Sequence, residues 1–263
     1  MATWDPSRYL QFSEERFRPF FDLMSRVGAT APASVVDLGC GPGQLTASLL
    51  ERWPSARAVG VDSSAAMIER ADQLAGDRLS FTMADLRDWQ AEQPVDVLVS
   101  NATLQWVPGH RSLLPTWVRS LAPGGWLAIQ VPGNFEEPSH RLLLELAADP
   151  RFAGATRGTV APSAFDATSY LGDLSGLGCT VDAWETTYLH VLAGPDPVFR
   201  WISGTGARPI LQALPHELRP VFEDQYRELL RQAYPERPFG TVLPFRRVFV
   251  VARRSSTEGT MES

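Results

Sequence analysis

Hydrophobic and polar positions follow two alternating patterns through the first half of the chain. Short apolar runs rich in β-branched residues predict strands, and segments whose apolar residues recur every three or four positions predict helices. Because parallel strands need crossover connections, this alternation predicts an α/β fold, a doubly wound and mostly parallel sheet with helices on both faces. The predicted strands are 34–38, 56–61, 79–83, 95–100 and 125–131, and the predicted helices are 44–52, 63–74 and 111–121.

The regular alternation ends after Val131. Two later strand patterns are separated by a long helical insertion with proline breaks, which predicts an antiparallel late strand and a helical cap. A loop rich in Gly, Thr and Pro separates the first two of the later helices. The later helical patterns are 140–148, 163–177 and 195–235, and the strand patterns are 179–192 and 242–253.

These patterns predict a single domain over residues 1–254, followed by a disordered polar tail at 255–263. The core of the domain is expected at about 30–132, together with the late strands at about 179–192 and 242–253. A substrate cap is expected from three further segments, residues 1–25, 133–162 and 195–240.

Composition and charge remove several classes of function. The net charge of -6 argues against a nucleic-acid partner, which would require a basic face. No apolar run has the roughly 18–20 residues of a membrane span, and the first ten residues lack a signal-peptide pattern, so a cytoplasmic protein is expected. Cys40 and Cys179 have no metal-ligand or disulfide spacing, so neither a metal nor a disulfide framework is predicted. No pattern indicates an oligomeric state.

A glycine loop follows the first predicted strand, in the segment Asp37-Leu-Gly39-Cys-Gly41-Pro-Gly43. Glycines at alternate positions allow a sharp turn and a close approach of the backbone to a ligand. The nicotinamide-binding pattern GxGxxG would need glycine where Gln44 stands, and a carboxylate at Asp37 suits a cation better than a pyrophosphate. A simple strand-to-helix turn is the alternative interpretation.

Two more acidic residues follow predicted strands. Ser63 and Ser64 are predicted to cap the helix that follows the second strand. Asp62 ends that strand, where a carboxylate can accept from two ribose hydroxyls, or can itself cap this helix. Asp85 follows the third strand and can accept from an exocyclic amine, or can be a turn residue. Carboxylates at one edge of a parallel sheet, beside a glycine loop, predict a pocket for a neutral or cationic nucleoside.

With these residues and the segment Ser100-Asn101-Ala-Thr-Leu-Gln105-Trp106, the chain resembles the class I S-adenosylmethionine-dependent methyltransferases. The resemblance implies that the glycines approach the methionine part, Asp62 holds the ribose, Asp85 faces the adenine and Asn101 borders the methyl group. The implied cofactor is S-adenosylmethionine, with S-adenosylhomocysteine as product. The implied cofactor-binding residues are Asp37, Gly39, Gly41, Gly43, Asp62, Ser63, Met67, Asp85, Leu86, Asn101 and Trp106.

A narrower resemblance runs from about Trp4 to Arg254. The segments that carry it look like those of trans-aconitate 2-methyltransferases, a family that forms a monomethyl ester on a carboxylate of trans-aconitate. It is loosest over 149–162. The segments begin at Trp4, Ala102, Gln130, Thr186 and Trp201, and read WDPSRYLQFSEERFRP, ATLQW, QVPGN, TTYLH and WISGTGARP.

A small polycarboxylate substrate requires local cations in a chain of negative net charge. Arginine suits this role because its planar guanidinium matches a carboxylate, and all 24 basic residues are arginine. Most of these arginines are expected on the solvated surface, and a histidine on an alternating strand is more often structural. The predicted substrate-binding residues are Arg16, Arg18, Tyr188, His190, Trp201, Arg208 and Arg246, with Arg247 as a further candidate and Tyr9 and Asn101 as positioning residues.

The implied reaction needs orientation more than acid–base chemistry, because a carboxylate with a pKa near 4 is ionised at pH 7. Three alternatives remain open from the residues. A carboxyl methyltransferase for another small acid, or for a malonyl-acyl-carrier-protein type of substrate, has a similar Asn101–Trp106 segment. A non-enzymatic S-adenosylmethionine-binding protein would share the core. A nicotinamide dehydrogenase is disfavoured by Asp37 and Gln44.

Overall fold

A mixed sheet organises the described residues. The computed structural model describes residues 13–159 and 162–256, with side chains from Phe17 onward. The strands are β1 (Ser34–Leu38), β2 (Arg57–Asp62), β3 (Leu79–Met83), β4 (Val95–Asn101), β5 (Leu121–Pro132), β6 (Cys179–Leu192), β7 (Glu236–Arg237) and β8 (Gly240–Arg254).

The strand order is β3-β2-β1-β4-β5-β8-β6, with β7 paired antiparallel to β8. Parallel pairing joins β1 to β2 and β4, β2 to β3, and β4 to β5. Val97, Leu98 and Val99 on β4 have no exposed surface, as expected for a central strand that is covered on both faces. The predicted doubly wound, mostly parallel sheet is therefore confirmed.

Helices connect the strands, and six of the ten described α-helices lie after β5. They are α1 (Ser13–Ser25), α2 (Gln44–Arg52), α3 (Ala65–Ala71), α4 (Leu114–Ser120), α5 (Pro138–Ala147), α6 (Pro150–Thr156), α7 (Ala167–Gly176), α8 (Pro197–Ser203), α9 (Arg208–Ala213) and α10 (Arg219–Ala233). Short 3-10 helices cover Asp72–Leu74, Leu104–Trp106 and His110–Leu113.

Three predicted local elements differ from the structure. The predicted helix 111–121 is divided, because a 3-10 helix precedes α4 and Leu121 already begins β5. The predicted loop near 150 contains α6, whose N-terminus is capped by the Asp149 side chain, which accepts from the N–H of Arg151 at 3.0 Å. Helix α7 begins at Ala167, four residues later than predicted, because Asp166 is its N-cap.

Ser64 occupies the N-cap position of α3 but makes no side-chain capping bond. The predicted capping role of Ser63 and Ser64 was therefore wrong. Instead the Asp62 carboxylate accepts from the N–H of Ser64 at 2.8 Å. At the other end of the chain, the Ser255 hydroxyl donates to the carbonyl of Gly178, and residues 257–263 of the predicted tail lie outside the described residues.

The described chain divides into two compact units. The core unit comprises Phe17–Val131, Phe165–Glu185 and residues 248–256. The helical unit comprises residues 13–16, 132–159, 162–164 and 186–247. Boundaries fall inside α1, β5, β6 and β8, so each of these elements contributes residues to both units.

The helical unit has an aromatic and aliphatic core of its own. Phe152 and Phe222 are fully buried and pack edge to face, with ring centroids 5.0 Å apart. Such pairs add about 0.5–1.5 kcal/mol to the stability that area burial supplies. Two tyrosine hydroxyls also bind the backbone of Ser139. The Tyr226 hydroxyl donates to the Ser139 carbonyl, and the Ser139 N–H donates to the Tyr234 hydroxyl at 3.0 Å. These bonds hold the start of α5.

Candidate functional site

Three glycines between β1 and α2 adopt positive φ, at +86° for Gly39, +55° for Gly41 and +85° for Gly43. A Cβ on Gly39 would lie 2.1 Å from the side chain of Thr103, and one on Gly43 would lie 2.7 Å from that of Phe81. A Cβ on Gly41 would meet no described atom within 4 Å. Packing therefore requires Gly39 and Gly43, whereas Gly41 faces open space that a ligand can fill.

The carboxylate of Asp62 is held beside this loop. Its Oδ2 accepts from the N–H of Gly41 at 3.0 Å, and its Oδ1 accepts from the N–H of Ser64 at 2.8 Å. Burial raises the pKa of Asp62, and the backbone hydrogen bonds oppose that rise. Because each carboxylate oxygen has a second lone pair, Asp62 can still accept from a ligand hydroxyl.

Asp37 is on β1, two residues before Gly39, and is almost fully buried. The Thr46 hydroxyl donates to its Oδ2 at 2.7 Å. Burial raises the pKa of Asp37 to about 6, the Thr46 hydrogen bond lowers it, and the charge of Asp62 raises it further. Two carboxylates in a partly desolvated place favour a cationic ligand, which would stabilise both ionised forms.

The end of β4 carries backbone strain beside an unsatisfied amide. Ala102 has φ +54°, a conformation that costs a non-glycine residue about 1–2 kcal/mol. The Oδ1 atom of the preceding Asn101 is buried and has no hydrogen-bond partner among the described residues. Gln105 donates to the carbonyl of Ala102 at 2.6 Å, and Trp106 is half-buried in the same turn. Strain and an unused acceptor together indicate a ligand-facing segment.

Asp85 is engaged by a residue that the sequence analysis did not consider. The Arg87 guanidinium donates to both carboxylate oxygens, at 2.5–3.1 Å, and holds the pKa of Asp85 at about 2. An adenine amine would have to share this carboxylate with Arg87. Of the remaining predicted contacts, Leu86 and Met67 are buried and Ser63 is exposed.

The core unit therefore combines the features that S-adenosylmethionine requires. The open space at Gly41 admits a ligand close to the backbone, and Asp62 beside it can hold hydroxyl groups. Asp37 supplies negative charge for a cation, and the Asn101 acceptor needs a partner. These donor and acceptor types fit a nucleoside that carries an ammonium and a sulfonium group.

The helical unit brings three predicted substrate residues together. The His190 ring stacks on Trp201 with centroids 4.7 Å apart, and on Tyr188 at 6.2 Å. Phe245 lies against His190 and Trp201, and the Arg247 guanidinium lies 4.5 Å over the Phe245 ring. All three predicted residues are almost fully buried, so this cluster also forms part of the unit's core.

The predicted arginines have different environments. Arg208 is 7% exposed at the first residue of α9, and Arg246 is half-buried with its Nε donating to the carbonyl of Gly133 at 2.7 Å. Arg18 is exposed and pairs with Asp22 at 3.9 Å. Tyr9 lies outside the described residues, as does the side chain of Arg16.

Three further polar residues were not selected from the sequence. Gln130 interrupts the apolar strand β5 with a fully buried side chain. His140 on α5 is buried in the helical unit, and burial lowers its pKa to about 4, so it is neutral at pH 7. Arg87 follows Asp85 at the spacing of a local ion pair. Only Gln130 had a visible signal, a polar residue in an apolar run.

The described residues contain neither a metal-ligand cluster nor a membrane-spanning helix. No group of three His, Cys, Asp or Glu side chains in that part of the chain could hold a metal ion. Within the same residues, no helix is both long and apolar enough to cross a bilayer.

Comparison with known proteins supplies independent findings. Residues 35–125 match a family model described as a methyltransferase domain. The chain is 50% identical over 268 residues to trans-aconitate 2-methyltransferase of Streptomyces coelicolor, covering 98% of this chain and 88% of that protein. It is 48% identical over 254 residues to the protein of the same name from Rhodococcus jostii, covering 95% and 99%.

The fold is also similar to that of solved structures. A chain from a structure titled as a complex between the Haloferax volcanii Trm112 methyltransferase activator and the "putative methyltransferase" matches with a TM-score of 0.61 at 18% identity. The match covers 96% of this chain and 95% of that one. At this identity the likeness supports the fold.

Proposed function

The chain belongs to the trans-aconitate 2-methyltransferase family, and from this premise we propose that it transfers the methyl group of S-adenosylmethionine to one carboxylate of trans-aconitate. The products are the monomethyl ester and S-adenosylhomocysteine. The structural observation that supports this most directly is the open space in front of Gly41, with the Asp62 carboxylate hydrogen-bonded beside it.

When bound, S-adenosylmethionine supplies a methyl group already activated by the positive sulfur. Asp62 accepts from the ribose hydroxyls, and Asp37 stabilises the ammonium group of the methionine part. The Asp85 carboxylate accepts from the adenine amine as well as from the Arg87 guanidinium. The proposed cofactor-binding residues are Asp37, Gly39, Gly41, Gly43, Asp62, Ser63, Met67, Asp85, Leu86, Asn101 and Trp106.

The acceptor requires no general base, because a carboxylate is ionised at neutral pH. Catalysis then depends on holding an acceptor oxygen in line with the methyl carbon, and well-oriented systems gain roughly 7–11 kcal/mol in this way. We assign this positioning to Asn101 and Tyr9. Exclusion of water strengthens the same interactions.

The carboxylates of the acceptor that do not react need cations and hydrogen-bond donors. Arg208 is the leading candidate, because it is almost fully buried and its planar guanidinium matches the geometry of a carboxylate. Burial also strengthens its attraction for an anion. The proposed substrate-binding residues are Arg16, Arg18, Tyr188, His190, Trp201, Arg208 and Arg246.

Labelled S-adenosylmethionine tests the proposal. The protein is incubated with S-adenosylmethionine labelled in its methyl group and with trans-aconitate, citrate, cis-aconitate or a malonyl-acyl-carrier protein. The methyl ester formed is measured as label that base hydrolysis releases from the acceptor. The proposal expects saturable transfer to free trans-aconitate at the lowest KM. Transfer to the carrier protein alone would overturn it in favour of the other carboxyl methyltransferase. The cytoplasmic location and the absence of a nucleic-acid partner stay predictions.

A further inference from the structure

Gln130 on β5 has a fully buried side chain, and neither its Nε2 nor its Oε1 atom has a hydrogen-bond partner among the described residues. Burying an amide without partners is unfavourable, so such groups in folded proteins usually serve a ligand or an ordered water. Gln130 therefore needs a partner from outside the fold's own hydrogen bonds.

The neighbour of Gln130 in the sheet has the same need. In the parallel pairing of β4 with β5, Gln130 is the register partner of Asn101, whose Oδ1 is also buried without a described partner. Paired residues on adjacent parallel strands present their side chains on the same face, roughly 5 Å apart. Two adjacent amide side chains with unused hydrogen-bonding atoms thus lie at the end of these strands.

The order of strands in the sheet indicates which part of the ligands lies at the end of β5. Under the proposed function, the adenine, ribose and methionine parts are held after β3, β2 and β1, and the methyl group lies at Asn101 on β4. The cofactor thus follows the sheet edge in the order β3-β2-β1-β4, and β5 is the next strand. A group held at β5 lies past the methyl group, where the acceptor must be.

Resting on that proposed function, we propose that Gln130 binds the acceptor, and that its side-chain N–H donates to the carboxylate that receives the methyl group. During transfer, a lone pair of that carboxylate forms the new oxygen–carbon bond. The carbon–sulfur bond breaks and its electron pair stays on sulfur, so no proton moves.

A neutral amide suits this carboxylate better than an arginine does. An arginine paired with the reacting carboxylate would stabilise its charge and make the oxygen a weaker nucleophile. An amide donor orients one oxygen and leaves most of the charge on the other. The arginines can then hold the carboxylates that do not react. Gln130 thus becomes a specificity residue for the reacting end of the acceptor.

The variant Gln130→Met tests this assignment because methionine keeps the unbranched shape and removes both polar atoms. We expect the KM for trans-aconitate to rise roughly tenfold or more, with the Kd for S-adenosylmethionine within twofold of wild type. The Tm should not fall, because the lost amide has no partner in the fold. A purely structural role would instead lower the Tm and leave the KM unchanged.

Gln130→Glu adds a second readout. A carboxylate at this position repels the acceptor, so the KM should exceed that of Gln130→Met at pH 8 and fall as the pH is lowered and the new carboxyl group is protonated. Ser100→Ala is the matched control. Ser100 is equally buried on β4, but its hydroxyl donates to the carbonyl of Leu38 at 2.8 Å, so this variant should lower the Tm without changing the KM.

Unchanged KM and kcat in Gln130→Met would overturn the inference while the proposed function stands. Weaker S-adenosylmethionine binding with an unchanged KM would also overturn it, because Gln130 would then serve the cofactor. Trans-aconitate turnover by the wild-type protein is measured first. Its absence would overturn the proposed function itself, which distinguishes that failure from a failure of the Gln130 assignment.

Discussion

The carboxylate of Asp62 accepts a hydrogen bond of 3.0 Å from the backbone N–H of Gly41. The bond ties the end of β2 to the glycine loop after β1, so one acidic residue both positions the loop and offers an acceptor to a ligand. A second bond, from the N–H of Ser64, prevents the carboxylate from rotating away. Substitution of Asp62 should therefore act on binding directly and through the loop.

Asp62→Ala is expected to weaken S-adenosylmethionine binding roughly 10- to 150-fold, the loss that corresponds to a charge-assisted hydrogen bond of about 1.5–3 kcal/mol. Titration calorimetry on the full chain measures this. Asp77→Ala, at an exposed position before β3, is the control and should bind with wild-type affinity. Equal affinity in the two variants would count decisively against Asp62 as a ribose ligand.

Alanine substitutions in the glycine loop should separate folding from binding. Gly41→Ala places its Cβ in open space, so it should cost only about 1–2 kcal/mol for the positive φ but should strongly weaken cofactor binding. Gly39→Ala drives its Cβ into Thr103 and should lower the Tm much more. Thermal unfolding and calorimetry on both variants check this. A Gly41→Ala protein with normal S-adenosylmethionine affinity would contradict a cofactor at this position.

Asp37 predicts a pH dependence of cofactor binding. Its pKa is raised to about 6, so it is ionised above pH 6 and becomes neutral as the pH falls below that value. S-adenosylmethionine affinity should therefore decrease between pH 7 and pH 5, and Asp37→Asn should remove most of this change.

The same raised pKa has the opposite effect on folding. The folded chain binds a proton at Asp37 more tightly than the unfolded chain does, so this contribution to stability is present below about pH 4 and lost as the pH rises through 6. Asp37→Asn should accordingly be more stable than wild type at pH 7 in the absence of cofactor. Denaturant unfolding at pH 5 and pH 7 measures the difference, and a less stable variant at pH 7 would refute it.

Arg208→Ala should raise the KM for trans-aconitate at least roughly tenfold while leaving the Kd for S-adenosylmethionine unchanged, because a charged donor to a distal carboxylate is lost. Arg219→Ala is the matched control, since Arg219 begins α10 as Arg208 begins α9 but pairs at the surface with Glu223. Its KM should equal that of wild type. Identical kinetic constants for the two variants would remove Arg208 from the substrate site.

Much of the sheet could be predicted from the sequence, because buried parallel strands are continuous apolar runs. The predicted limits of β1, β3 and β6 agree with the structure, and the resemblance to the methyltransferase family was confirmed. The helix α6 was missed because its apolar content is low, and its start depends on the Asp149 cap followed by Pro150. Such local hydrogen bonds decide short helices where periodicity is weak.

The candidate site was less accessible to sequence reasoning. Strand ends identified Asp62 and Asn101, because parallel strands bring their carboxyl ends to one edge. The pairing of Asp85 with Arg87 could not be inferred, since many arginines lie near an acid in this chain. The unsatisfied amide of Gln130 was also invisible, because a sequence shows a polar residue in an apolar strand but not whether its atoms have partners.

The Cys40 thiol lies between Gly39 and Gly41, buried, with its Sγ 3.5 Å from the carbonyl of Gly41. Burial raises its pKa far above that of a free thiol, and the charge of Asp37 raises it further. Burial therefore favours the protonated thiol over the thiolate. Under the proposed function this loop holds an alkylating sulfonium compound, for which a thiolate would compete as methyl acceptor, so we infer that the buried thiol limits self-methylation of the loop.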